Sequence, residues 1–327
     1  MRAIHATEAG GPEVLSVVDM PEPHARPGEL VVRLAAAGVN FRDTYERSGV
    51  YPMPFPHVPG AEGAGTVTAV GEGVTDVAVG DRVAWADARA SYAEQVLVPA
   101  AAALPVPDGL DLETAAALPL QGMTAHYLVA STFPLGPGQT ALLTAAAGGV
   151  GLLLTQMATA RGARVIGLVG SREKEVLARE AGAAEVVRYT ELDDLTAELP
   201  GIVRELTGGA GVDVAYDGVG RTTFDASLAS LRRRGMLVLF GGASGQVPPF
   251  DLQRLNSVGS AFVTRPKLAD YVADREELLW RAGEVFGAAV AGRLTVRVGA
   301  RFPLAEARQA HEALEGRGTT GKVLLVP

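Results

Sequence analysis

The chain has 327 residues, 48% of them hydrophobic, with 29 basic against 37 acidic side chains and a net charge of −8. It contains no cysteine, which excludes disulfides, thiolate nucleophiles and metal sites built on Cys ligands. The acidic balance disfavours nonspecific nucleic-acid binding, which needs a positive face, so a small molecule is the expected partner.

The opening segment MRAIHATEAGGPEVL carries no apolar run of signal-peptide length, and the most apolar stretch, 140–160, is broken by a glycine cluster. No membrane segment is predicted, and a cytoplasmic location is expected. Residues 1–120 read as β-rich. Short Val- and Leu-rich runs at 2–6, 15–19, 29–37, 65–70, 82–85 and 92–98 are separated by Pro/Gly punctuation. One short helix is predicted over 40–49, with Asn40 as N-cap and Gly49 as stop.

From residue 121 the pattern changes. Apolar strands at 140–145, 164–169, 184–187, 212–216, 236–240 and 259–264 alternate with helices near 149–161, 172–181, 195–206, 222–230 and 252–256. Buried strands separated by helices predict βαβ units and a doubly wound parallel sheet. A long helical stretch (268–291), a strand (295–298), a helix (305–315) and a last strand (322–326) are predicted to return to the first domain. The expected fold is therefore α/β, with a β-rich domain over 1–122 and 266–327 and a doubly wound domain over 123–265.

The clearest motif is AAAGGVG, which follows a strand and opens a helix as Ala146-x-Gly148-x-x-Gly151. Gly148 lets backbone approach a pyrophosphate at the helix N-terminus, and Gly151 permits close helix–strand packing. An NAD site needs an acidic residue about 20 positions on, at the end of the second strand. Here Ser171 stands there, flanked by Arg172 and Lys174, which supply the donors a 2′-phosphate needs; Glu173 weighs against this. NADPH is the expected cofactor. The five histidines are scattered, and His57 with Glu62 makes a poor metal pair, since His57 reads as a loop residue. No G-x-S-x-G elbow is present.

The segments AAGVNFRDTYERSGVYPMPFPHVPGAEGAGTVTAVGEGV, GDRVAWADARASYAEQVLVPA, AALPLQGMTAHYLV, AAAGGVGLLLTQMA, DVAYDGVGRTTFDASLASLRRRGMLVLFGGASG, FVTRP and RGTTGKVLLVP together span nearly the whole chain. They resemble the zinc-free quinone oxidoreductases, which include the zeta-crystallins, in the medium-chain dehydrogenase/reductase superfamily. Zinc-dependent relatives carry a Cys near the position of Asn40 and Gly-His-Glu near 60–62. Here Ala61 replaces that histidine, and the cysteine-rich lobe shrinks to a turn around 87–91.

The resemblance implies a GroES-like first domain, a Rossmann second domain and no metal. It implies NADPH binding by Gly148, Gly149 and Val150 at the pyrophosphate, with Gly170, Ser171, Lys174 and Tyr189 around the adenosine ribose and 2′-phosphate. Gly241, Gly242, Ala243 and Ser244, and the backbone of Phe262, Val263 and Thr264, belong to the nicotinamide-ribose side, with Val219, Tyr127 and Arg317 added to the cofactor set. Asn40, Tyr45, Gln121 and Thr124 are expected in the cleft near the nicotinamide, the last two preceding and beginning a helix. Each has a plainer reading: Asn40 as an N-cap, Tyr45 as core filling, Gln121 and Thr124 as helix-start residues. Asn40 and Tyr45, five apart, face one way only if the helix is irregular or Asn40 is its cap.

The expected activity is NADPH-dependent reduction of a quinone or another conjugated carbonyl without metal, with Tyr45 and Asn40 as hydrogen-bond donors to the acceptor. Alternatives are an enoyl- or acrylate-type double-bond reductase and a crystallin-like cofactor-binding protein with little turnover. A homodimer joined through 259–264 is expected.

Overall fold

A computed structural model describes residues 1–327, which divide into two units: Met1–Met123 with Val272–Pro327, and Thr124–Tyr271. The first unit opens on an antiparallel pair, β1 (Arg2–Ala6) and β2 (Leu15–Asp19). β3 (Glu29–Val39) is the longest strand of its sheet and is buried along most of its length. Asn40 caps α1 (Phe41–Arg47), and β4 (Glu62–Val70), β5 (Arg82–Trp85), β6 (Gln95–Pro99) and the short β7 (Leu104–Pro105) follow. Next come α2 (Leu112–Ala117), capped by the Asp111 carboxylate, and α3 (Pro119–Tyr127). Proline suits that first position because its missing N–H would have had no helical partner.

The second unit holds β8 (Thr140–Thr144), α4 (Gly149–Ala160), β9 (Arg164–Val169), α5 (Arg172–Glu180), β10 (Glu185–Arg188), α6 (Leu195–Leu206), β11 (Val212–Asp217), α7 (Phe224–Ala229), β12 (Leu231–Leu239), α8 (Gln253–Ser257) and β13 (Phe262–Thr264). All five neighbouring pairs are parallel, in the order β10-β9-β8-β11-β12-β13. Its core includes Leu142, Ile166, Leu199, Val203 and Leu237, each fully buried. Such side chains contribute about 1.5–3 kcal/mol apiece, which is why the central strands read as continuous apolar runs.

The chain then returns to the first unit with α9 (Arg275–Val290), β14 (Val298–Pro303), α10 (Ala307–Glu315) and β15 (Lys322–Val326). Its seven-stranded sheet runs β14-β15-β3-β4-β5-β7, with β6 added on β3. Ile4, Val32, Trp85, Tyr92 and Leu325 lie in the core against this sheet.

Several elements differ from the sequence reading. The second unit keeps residues 266–271, which the sequence pattern places in the first. The Tyr271 ring stacks on Tyr127 at 4.3 Å, and its hydroxyl accepts from Thr132 Oγ1 at 3.0 Å. The helical stretch 268–291 is two pieces, because the Asp274 carboxylate accepts from the Glu277 N–H and starts α9 afresh. The sixth parallel strand starts at Phe262, since Gly259 and Ser260 both adopt positive φ. The strand expected at 295–298 lies instead at Val298–Pro303, where parallel pairing with β15 sets its register. Gln121 and Thr124 lie inside α3, which starts at Pro119, and α2 has no counterpart in the sequence reading.

Candidate active site

In the second unit the strand order reverses between β8 and β11, the position at which open parallel sheets bind ligands beyond the carboxyl ends of their strands. Thr144, ending β8, donates to the Asp217 carboxylate at 3.2 Å and accepts the Gly218 N–H at 3.0 Å. Asp217 is fully buried and also accepts from the N–H groups of Val219 (2.9 Å) and Gly220 (3.0 Å) and the hydroxyls of Thr223 (2.7 Å) and Ser227 (2.9 Å). One carboxylate therefore shapes the loop that presents Val219. Sequence reasoning missed it, although an Asp ending an apolar strand before Gly-Val-Gly was the available signal.

α4 opens on Gly148, which offers no side-chain cap, so the backbone N–H groups of its first turn face outward without a side-chain acceptor. A Cβ at Gly151 would run into the Ala145 carbonyl and come 2.9 Å from the Ala146 Cα; only glycine lets α4 lie this close to β8. At the end of β9, Ser171 Oγ caps α5 by accepting the Lys174 N–H at 3.3 Å. A Cβ at Gly170 would lie 2.5 Å from the Tyr189 hydroxyl, so these two residues are in contact. Arg172 and Glu173 are exposed and Lys174 is half-buried. Ser244 Oγ donates to the Val219 carbonyl at 2.8 Å and accepts the Thr222 N–H at 3.1 Å, tying the Gly241–Gly242–Ala243–Ser244 segment to the Val219 loop. Phe262 and Val263 are exposed on β13, the edge of the sheet, and Thr264 is half-buried. Thr124 and Tyr127 are buried, and one face of the Tyr127 ring is covered by Tyr271.

In the first unit, Asn40, Glu62, Lys322 and Gln121 converge. Asn40 Nδ2 donates to Glu62 Oε2 at 2.7 Å and to the Gly38 carbonyl at 3.2 Å. Its Oδ1 accepts from Lys322 Nζ at 2.9 Å and from Gln121 Nε2 at 3.2 Å. Lys322 also forms an ion pair with Glu62, and both side chains are fully buried. The other Glu62 oxygen accepts the Leu120 N–H at 2.8 Å, at the start of α3. A Cβ at Gly38 would meet the Glu62 carboxylate and lie 2.7 Å from Lys322 Cε, so the glycine makes room for the pair. Every donor and acceptor of the Asn40 amide is engaged within the protein, which leaves it no free donor for an acceptor molecule. Gln121 Oε1 is shielded from solvent and has no hydrogen-bond partner. Tyr45 is half-buried on α1, its ring between Phe41 (6.2 Å) and Tyr51 (5.3 Å). Because Asn40 precedes α1 as its cap, the five-residue spacing to Tyr45 imposes no helical irregularity. Arg317 lies exposed just past α10 at positive φ.

A second buried chain runs from the same cap. Asp43 Oδ2 accepts the Asn40 N–H at 2.9 Å and the Tyr92 hydroxyl at 2.8 Å, while Oδ1 has no partner. Tyr92 Oη lies 3.1 Å from His311 Nε2, and His311 Nδ1 lies 3.0 Å from Arg47 Nη1. Arg47 forks onto Glu315 at 2.8 and 3.0 Å. A guanidinium only donates, so His311 Nδ1 accepts, its proton sits on Nε2, and each link then donates towards Asp43. Burial pushes the Asp43 carboxyl up to about 7. Burial, then the Arg47 charge, pushes His311 down to about 3.

No group of three or more His, Asp or Glu side chains is placed to hold a metal ion. Ala61 has no donor atom, Glu62 is engaged by Lys322, and His57 Nδ1 faces the Pro54 carbonyl at 3.1 Å. The residues at this position do not fit a zinc ion.

Residues 149–274 match the family model described as zinc-binding dehydrogenase, and residues 26–108 match that of the alcohol dehydrogenase GroES-like domain. The chain is 44% identical to a quinone oxidoreductase of Salmonella typhimurium, over 97% of each chain. It is 40% identical to a 2-haloacrylate reductase of a Burkholderia species, over 97% of this chain and 96% of that one. A mycobacterial protein solved in complex with NADPH superposes with a TM-score of 0.97, at 52% identity over the whole of both chains.

Proposed function

Since the chain belongs to the quinone oxidoreductases of the medium-chain dehydrogenase/reductase superfamily, we propose that it reduces quinones with NADPH by direct transfer and without a metal. The observation that carries the reading lies in the second unit. An uncapped helix start at Gly148 is paired, one strand over, with Ser171, Lys174 and Tyr189 where an NAD site would carry a carboxylate. That arrangement fits a dinucleotide with a 2′-phosphate. The first turn of α4, at Gly149 and Val150, would hold the pyrophosphate, and Lys174 with Ser171 would hold the 2′-phosphate.

When bound, NADPH supplies the hydride. The protein's own residues bind and orient. The loop shaped by Asp217 and tied by Ser244 would hold the cofactor through Val219 and the 241–244 backbone. Tyr45 donates a hydrogen bond to the acceptor oxygen as charge develops there. A quinone stabilises that charge itself, so one neutral donor suffices. The expected outcome in a steady-state assay is a kcat/KM for NADPH well above that for NADH; equal values would sink the 2′-phosphate assignment.

The similarity to a 2-haloacrylate reductase favours a second reading, reduction of an activated carbon–carbon double bond. An acceptor panel at fixed NADPH separates the two. No helix is long and apolar enough to cross a membrane. We further propose a homodimer joined through β13, supported by its unpaired edge and by exposed Phe262 and Val263. A monomer mass in light scattering would remove that proposal.

A further inference from the structure

Glu62 and Lys322 are fully buried, and the reading above assigns them no part in the reaction. Their chemistry is nevertheless asymmetric in a way that propagates. An ammonium only donates and a carboxylate only accepts. The Asn40 amide lies between them, so its Oδ1 must face Lys322 and its Nδ2 must face Glu62. Turning that amide over would set donor against donor and acceptor against acceptor. Gln121 is constrained in turn, because only its Nε2 can meet Asn40 Oδ1, and its Oε1 must point the other way. The second oxygen of Glu62 holds the Leu120 N–H, one residue before Gln121. Both the backbone position and the amide orientation of Gln121 therefore depend on one carboxylate.

We propose that Glu62 and Lys322 are a positioning pair for the reduction, fixing the amide orientations of Asn40 and Gln121. The catalytic consequence rests on the quinone-reductase reading; the orientation of the amides rests on the geometry alone. The pair acts through Asn40 on Gln121, whose buried and unpartnered Oε1 is the one end of this chain of bonds open to a donor on a ligand; neither Glu62 nor Lys322 touches substrate.

Two variants and one spectroscopic readout test this. In Glu62→Gln Lys322 loses its counter-charge, and the introduced amide has one acceptor end where the carboxylate had two, so either the Leu120 N–H or the Asn40 Nδ2 and Lys322 donors lose their partner. Glu62→Asp instead keeps a carboxylate, and its charge, opposite Lys322 and Asn40. We expect Glu62→Gln to keep the NADPH Kd within about twofold while kcat with a benzoquinone falls at least ~10-fold, and Glu62→Asp to keep kcat within about threefold of wild type. Side-chain amide resonances of Asn40 and Gln121 should exchange slowly with solvent in wild type, fast in Glu62→Gln, and slowly again for Gln121 in Glu62→Asp. A folded Glu62→Gln with kcat within about threefold of wild type overturns the proposal, and so does a folded Glu62→Asp that is as slow as Glu62→Gln. Fast exchange of the Gln121 amide in the wild-type protein overturns it whatever the variants do. Wild-type protein that oxidises NADPH with no quinone defeats the functional reading instead, and the amide signals then decide the positioning pair by themselves.

Discussion

Replacing His311 with Gln should tilt the pH dependence of the first unit's stability. Burial and the Arg47 charge hold the folded His311 at about 3, against 6.5 for an exposed ring. Burial moves Asp43 the opposite way, from 3.8 to about 7. The unfolded chain takes up the histidine proton more readily than the folded one, so this group makes stability rise between about pH 3 and 6.5. The folded chain takes up the Asp43 proton more readily, so that group makes stability fall between about pH 4 and 7.

At about 1.4 kcal/mol per pKa unit, each contributes a change of ~2 kcal/mol between about pH 4.5 and 6.5, and the two nearly cancel. Glutamine offers Arg47 an acceptor and Tyr92 a donor but does not titrate, which leaves Asp43 unopposed. The stability advantage of wild type over His311→Gln should therefore grow by ~2 kcal/mol from about pH 4.5 to 6.5. Carboxylates common to both proteins drop out of the difference. Urea unfolding followed by tryptophan fluorescence reads the right unit, because both tryptophans, Trp85 and Trp280, belong to it. Parallel stability–pH curves for the two proteins would refute the opposed-titration account.

Lys174→Ala should lower kcat/KM for NADPH by about 10- to 100-fold, the worth of one charged hydrogen bond, and leave NADH nearly unchanged; an equal loss for both cofactors would move Lys174 away from the 2′-phosphate. Tyr45→Phe should reduce kcat/KM for quinone by about fivefold, with less than about threefold showing that the hydroxyl is incidental. Gly151→Ala should cost about 2 kcal/mol of stability by forcing α4 off β8. It should also weaken NADPH binding in a fluorescence titration, and unaltered binding would separate the packing of α4 from its role at the pyrophosphate.

The amino-acid sequence by itself determined the doubly wound half of this protein. Strand runs such as TALLT and RVIGLV are apolar throughout because both faces are buried, and the AAAGGVG turn marks where the first strand meets its helix. The place of Ser171 and Lys174, at the turn from the second strand into its helix, was legible for the same reason: their distance from the glycine turn is set by local geometry. The zero cysteine count and Ala61 already pointed away from a zinc site.

Only the tertiary structure brought Lys322 to Glu62 and Asn40, and His311 to Tyr92 and Asp43, across separations of 219 to 282 residues. Long-range pairing of β15 with β3, and packing of α10 against the same unit, decide which buried polar groups meet. A lone lysine opening the strand KVLLV was a visible signal, one of three lysines in the chain, but its partner was not. Asn40 shows the physical reason. Its residue type announced a cap or a polar contact, yet which of its atoms remained available depended on an ammonium and a carboxylate brought to it by folding.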